Sequence, residues 1–332
     1  MDIRILRAQK IFSDGRHNAF TGITRFNNRT FIVFRSGRNH ASMDGVITMI
    51  ASGNLSTWEK SAEITDSSMD LRDPKIVAFN GKLLVFYAGR NDDKYCNTSF
   101  RTSKVSVFSH NCQLQPSHFL KGVPEGYWMW CVKPHCEELY GTAYRRIDGV
   151  YHAKLFKSTD GIEWMWMADF PVPGGEVYID IDQDGTLWAL LRDDCHNAMP
   201  TLCRAEPPYN KFSFSKTLPL RMQGAMIKRL KGGCAVIGRS WDGTDRSNTR
   251  TDLFWIEDNQ EPYFLRTLPS GGDTSYADWL DTALGKAVVS YYSSHEHKMA
   301  EPHENQEVLA VDSAHAEHTT AADIYLADVS YK

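Results

Sequence analysis

Two residues stand where strands would enter a protein interior. Glu176 lies in Gly175-Glu176-Val177-Tyr178-Ile179, and Tyr276 in Thr274-Ser275-Tyr276-Ala277-Asp278. A charge at such a place is costly unless it is paired or has work to do. Arg38, Arg192 and Arg239 each close an apolar run of similar length, as do Arg90 and Arg145. One such arginine would mean little. Five suggest an electropositive mouth in an acidic chain, focused on an anionic ligand. Guanidinium groups suit a carboxylate because they bind it through two parallel hydrogen bonds. Some of the five, Arg90 and Arg145 foremost, are expected to pair with acidic residues on neighbouring units.

Arg72-Asp73-Pro74 opens another run. Pro there starts a strand. Asp73 is either a second carboxylate of the site or the ion-pair partner of Arg72. His17, His40 and His295 sit at loop ends, with Glu296 following the last of them. They are read as substrate contacts, able to bind hydroxyls or move a proton near neutral pH. No cysteine or carboxylate spacing beside them points to a metal, and none is expected.

The elements that must position these residues repeat. Asn27-Asn28-Arg29-Thr30-Phe31-Ile32-Val33-Phe34-Arg35-Ser36-Gly37-Arg38 overlays Phe79-Asn80-Gly81-Lys82-Leu83-Leu84-Val85-Phe86-Tyr87-Ala88-Gly89-Arg90 after a shift of about fifty residues. Each reads as a tight turn, an apolar strand, then Gly-Arg. Further copies turn near Glu137, Gly185, Gly233 and Gly285. Six copies at a near-constant period predict an all-β, six-bladed β-propeller. Each turn joins the first two strands of a blade. Residues 46–52, 150–158 and 251–256 read as later strands. Residues 3–11 and 322–329 read as strands of one blade, so that pairing of the two ends closes the ring and leaves no open edge. A single domain over residues 1–332 is expected. The polar stretch after His297 reads as an exposed loop in the last blade, with a lid as the alternative.

Composition narrows the function. Net charge is −4 and the sequence pI is near 6.3, so no basic field for nucleic acid exists. No run of about 18 apolar residues is present to span a membrane. The seven cysteines are irregularly spaced, which suggests reduced thiols, and the start of the chain shows no signal peptide. Cytoplasmic residence is expected on those grounds. Oligomeric state is not legible.

Two segments, Ser52-Gly53-Asn54-Leu55-Ser56-Thr57-Trp58 and Ser158-Thr159-Asp160-Gly161-Ile162-Glu163-Trp164, resemble the Asp box of sialidases, one residue short of Ser-x-Asp-x-Gly-x-x-Trp. Its role is structural: the Asp caps backbone N–H groups in the turn and the Trp packs between strands. The resemblance implies a sialidase-like site. Glu176 would polarise Tyr276 as nucleophile, Asp44 would be the acid/base, and Arg38, Arg192 and Arg239 would hold the substrate carboxylate. A neutral Tyr suits an anionic sugar, which would repel a carboxylate nucleophile. The family's Arg-Ile-Pro at the start of blade one is absent. The chain has Arg16-His17-Asn18-Ala19-Phe20-Thr21-Gly22 there, so one arginine is missing or replaced by Arg16, His17 or Arg72.

The expectation is a retaining exo-glycosidase acting on sialic acid or another acidic sugar in an oligosaccharide or glycoconjugate, without a cofactor. A polysaccharide lyase or uronate-linked glycosidase is the enzymatic alternative, with His17, His40 or Tyr276 handling the proton. A glycan-binding propeller without catalysis is the third reading.

Overall fold

The structure is a computed structural model describing residues 1–93, 98–109, 113–193, 198–243, 246–258, 260–297 and 321–332. His303, His315 and His318, in the stretch read as a loop, lie outside the described residues. Among the described residues there is no helix. Twenty-four strands form six four-stranded sheets, each with antiparallel neighbours, arranged as a six-bladed β-propeller.

The turns follow from residue type. In blade one Phe26 pairs with Arg29 across Asn27-Asn28, whose φ values are 47° and 61°. In blade two Phe79 pairs with Lys82 across Asn80-Gly81, at 47° and 70°. Two successive residues in the left-handed region make the tight hairpin turn that matches strand twist, and Asn and Gly reach that region most readily. The strand after the turn is sandwiched within its blade: Arg29–Gly37 is buried at every position after Arg29. That explains its unbroken apolar character.

The two boxes form the third turn of their blades. Asp160 Oδ1 accepts from the N–H groups of Ile162 (2.7 Å) and Glu163 (2.9 Å), and Trp164 donates to the Gly161 carbonyl. Asn54 does the same for Ser56 and Thr57. Trp164 is buried against Phe86 of the preceding blade, with ring centroids 5.8 Å apart.

The ring closes through blade six. Its innermost strand is Thr274–Ala283, followed outward by Lys286–Ser293, Asp323–Tyr331 and the N-terminal Ile3–Phe12. Ile5 pairs with Val329 and Gln9 with Leu326. The next residues start the innermost strand of blade one, His17–Phe26.

One irregularity aims the site. The six innermost strands all break register close to their starts. The residues at these breaks are Phe20, Asp73, Trp130, Glu176, Gly224 and Tyr276. Phe20, Asp73, Glu176, Gly224 and Tyr276 have φ of 64°, 48°, 46°, 53° and 48°. A bulge bends its strand and re-aims a side chain. For a residue other than glycine this conformation costs on the order of 1–3 kcal/mol, and such strain concentrates at functional sites. Five of the blades carry it in register with one another.

Candidate active site

Tyr276 sits where these bulges meet. Its hydroxyl lies 3.2 and 3.3 Å from the two Glu176 oxygens and donates to that carboxylate. Its ring lies edge-on to Phe20 at 5.0 Å and to Trp130 at 5.6 Å. Gly224 makes the fourth contact. A Cβ on Gly224 would stand 2.7 Å from the Tyr276 ring, so glycine there is a condition for seating the tyrosine. Below, Thr21 donates to the Tyr276 carbonyl at 3.0 Å, and Asp278 accepts from the Ile23 N–H at 3.0 Å. Those bonds pin blade six to blade one.

Three buried arginines surround the tyrosine. Arg192 donates to Glu176 Oε1 at 2.5 Å and to the Tyr276 hydroxyl at 3.2 Å. Arg239 lies over the Tyr276 ring at 5.6 Å and donates to Asp273 Oδ1 at 3.3 Å. Arg72 lies over the Phe20 ring at 5.1 Å and donates to Asp70 and to the His40 carbonyl. In Arg72 and Arg239 only Nη1 donates to the described residues, so further N–H groups of each remain for a ligand. Burial, then the Glu176 charge, raises the Tyr276 hydroxyl far above its usual range, against the opposing pull of Arg192 and Arg239. The phenol is therefore neutral, with its proton directed at Glu176.

The third arginine is Arg72, and Arg38 is elsewhere. Arg38 is 78% exposed and pairs with Asp44 at 3.6 Å. Asp44 also pairs with Arg16 at 3.2 Å. Burial alone would raise the Asp44 carboxyl. The Ser42 hydroxyl, the Arg38 N–H and the two arginines outweigh that and hold it below its usual value. Its partners all belong to blade one, and the structure does not bring it to Glu176 and Tyr276. Asp73 is different. Arg72 takes Asp70 as its ion-pair partner, and Asp73 makes no hydrogen bond or ion pair among the described residues. Burial pushes the Asp73 carboxyl up to about 6. Glu176 and Asp70 add to the rise, and Arg72 and Lys75 oppose it.

The histidines divide. His17 is fully buried and donates through Nε2 to Asp273 Oδ2 at 2.7 Å, so it braces the wall and cannot touch a ligand. His40, with its side chain 23% exposed, donates through Nδ1 to the same oxygen at 2.5 Å. Tyr292 donates to Asp273 Oδ1 at 2.6 Å. Burial would raise the Asp273 carboxyl, but its donors, His40 and His17 foremost, hold it well below the usual range. Desolvation pushes His40 down to about 4, so its ring is neutral. His295 hydrogen-bonds Ser293 and packs on Tyr325; Glu296 binds Lys10 and Tyr325. All of these partners lie in blade six, away from the arginine cluster.

His17, His40 and Asp273 are also the described residues whose ligand atoms come within 4.8 Å of one another. Two ligands of one tetrahedral metal ion stand about 3.3 Å apart, given metal–ligand bonds near 2.0 Å. The His–Asp contacts are shorter than that, and Arg239 shares the carboxylate. The cluster is a hydrogen-bonded brace built around an ionised Asp.

Sequence reading had missed Phe20, Asp70 and Asp273. Asp70 bridges Arg35, Arg72 and Arg90. Asp273 joins residues 256 and 233 positions away in the chain. Nearness in sequence to Arg72 and Tyr276 marks Asp70 and Asp273; Phe20 is marked only by its place three residues after His17.

Comparison with solved structures finds the same fold in other proteins. A protein of unknown function from Dyadobacter fermentans superposes with a TM-score of 0.78 at 13% identity, covering 99% of both chains. The phage phi92 endosialidase matches at 0.69 and 9%, covering 98% of this chain and 69% of that one. A Trypanosoma rangeli sialidase matches at 0.67 and 10%, covering 94% of this chain and 55% of that one. The chain has a sialidase-like six-bladed β-propeller fold. It spans just over half of the trypanosomal enzyme's length. No family model and no curated protein matches the sequence.

Proposed function

We propose that this propeller is a retaining glycoside hydrolase that cleaves an acidic sugar from an oligosaccharide or glycoconjugate. The observation that carries the reading is the Glu176–Tyr276–Arg192 cluster inside a ring of buried arginines. Tyr276 would attack the anomeric carbon as its proton passes to Glu176, forming a glycosyl–tyrosine that water then hydrolyses. Arg72 and Arg239 would take the sugar carboxylate, and the desolvated wall strengthens that charge pairing. Sialidase and endosialidase are among the proteins with this scaffold, which supports a sugar ligand.

The test is hydrolysis of 4-methylumbelliferyl glycosides of sialic acid and of uronic acids, with the product anomer followed by NMR. Release of the sugar with retained configuration is expected, and Tyr276→Phe should cost at least ~10³-fold in kcat. An absorbing unsaturated uronate product would instead establish a lyase. Wild-type turnover in Tyr276→Phe would remove the nucleophile, and turnover of no glycan would leave a binding module.

A further inference from the structure

A retaining glycosidase needs a group that protonates the departing oxygen. The expected residue, Asp44, is tied to Arg16 and Arg38 on the rim. His40 spends Nδ1–H on Asp273 and is neutral, so it has no proton to give at its other nitrogen. Asp73 remains. It occupies the same bulge position as Glu176 and Tyr276, two blades from each around the ring, and it shares their left-handed backbone. It is 6% exposed and makes no hydrogen bond or ion pair among the described residues.

We propose that Asp73 is the acid/base of the site, and that Asp44 only braces the blade-one loop. This rests on the glycosidase reading. In the first step the bond from Tyr276 Oη to the anomeric carbon forms, and the bond to the leaving oxygen breaks as that oxygen takes the Asp73 proton. In the second step water attacks the same carbon, Asp73 takes the water proton, and Tyr276 leaves and regains its proton from Glu176. Atoms and charge balance with water as the sole co-reactant.

The surroundings suit a carboxyl that must hold a proton. Glu176 faces it from blade four; Arg72, Lys75 and Asp70 lie on its own strand. Tyr144 of blade three and Tyr276 of blade six both feel its charge. Burial in a dry wall, helped by Glu176 and Asp70 against the stronger pull of Arg72 and Lys75, keeps the proton on until the leaving group accepts it.

The test uses whichever acidic sugar the wild type cleaves, joined either to 4-methylumbelliferone or to an unactivated sugar alcohol. Asp73→Asn keeps the shape, and Asn tolerates the left-handed backbone. It should slow the unactivated substrate by 10²-fold or more and the aryl substrate by less than about tenfold. Azide should restore aryl turnover in Asp73→Ala by replacing water without needing a base. Equal loss on both substrates, with no azide rescue, would reduce Asp73 to a binding contact. The same leaving-group signature in Asp44→Asn or His40→Gln would move the role there. Wild-type hydrolysis that survives Tyr276→Phe overturns the nucleophile reading separately, and a wild type that cleaves nothing overturns both.

Discussion

At the scale of single residues, charge is held by partners of known sign, and that fixes how the protein answers pH. His40 has a folded pKa near 4, below the ~6.5 of a free imidazole. Its neutral form is the one the fold stabilises. That contribution is complete above about pH 6.5 and is lost as pH falls toward 4. Allowing for its partly exposed ring, it is worth about 2 kcal/mol. Asp73 works the other way. Its folded pKa near 6 lies above the unfolded value, so its protonated form is favoured and its contribution is lost as pH rises from about 4 to 6. The two oppose each other over one window, and wild-type stability alone will not separate them. The difference in unfolding free energy between wild type and His40→Gln, measured by urea at pH 7 and pH 4.5, should shrink by about 2 kcal/mol at the lower pH. A constant difference would mean the fold leaves the His40 pKa where it is in the unfolded chain, and a difference that grows at pH 4.5 would mean the fold favours the charged ring. With Asp73 in the proposed acid/base role, its raised carboxyl predicts an alkaline limb: turnover should fall above about pH 6, and the limb should vanish in Asp73→Asn.

At the scale of elements, the bulges do what turns and strands alone could not. Five of the six hairpins were legible because Asn or Gly marks the turn, and all six because the strand between two neighbours is apolar; blade three turns on Cys136-Glu137 instead. Glu176, Tyr276, Arg192 and Arg239 were legible as equivalent positions in that repeat, and the structure gathers them around one phenol. Arg38 and Arg72 could not be told apart in the same way. Both flank apolar strands, and only the path of the blade-one loop turns Arg38 to solvent and leaves Arg72 facing Phe20. The bulges are hidden because a register break has no fixed residue signature: Phe, Asp, Glu and Tyr all occupy it. Gly224 is the exception whose identity is dictated. Gly224→Ala combines a left-handed φ of 53° with a Cβ 2.7 Å from the Tyr276 ring, and the ring is held from its other sides by Phe20 and Trp130. We expect it to fold with a loss of about 1–3 kcal/mol and, on the proposed mechanism, to lower kcat far more than KM, because it moves Tyr276 and spares the arginines. Thermal melting with steady-state kinetics checks this; unchanged kcat would mean the tyrosine has room to give.

At the scale of the whole molecule, the site depends on a seam. Blade one supplies His17, Phe20 and His40, and blade six supplies Asp273, Tyr276 and Tyr292, so the brace around Asp273 crosses the place where the ring closes. The N-terminal strand Ile3–Phe12 fastens that seam. It completes the sheet of blade six, and Phe12 packs on Phe34 of blade one at 4.9 Å. Gln9 reaches the Leu55 carbonyl in blade one's box turn at 3.1 Å, and Lys10 neutralises the fully buried Asp323. Removing residues 1–12 would strip these ties together, leave the Asp323–Tyr331 edge open to pair with another chain, and take Lys10 from a buried carboxylate. The expected result is a Tm lower by roughly 5–10 °C, set by a loss of several kcal/mol, with self-association that grows with concentration. Because the seam runs through the brace around Asp273, the proposed activity should be lost at a temperature below the global melt. Scanning calorimetry, light scattering and an activity–temperature curve on the same truncated chain would show all three. A truncated protein with wild-type melting and no self-association would mean the first and last blades hold each other through their inner strands alone.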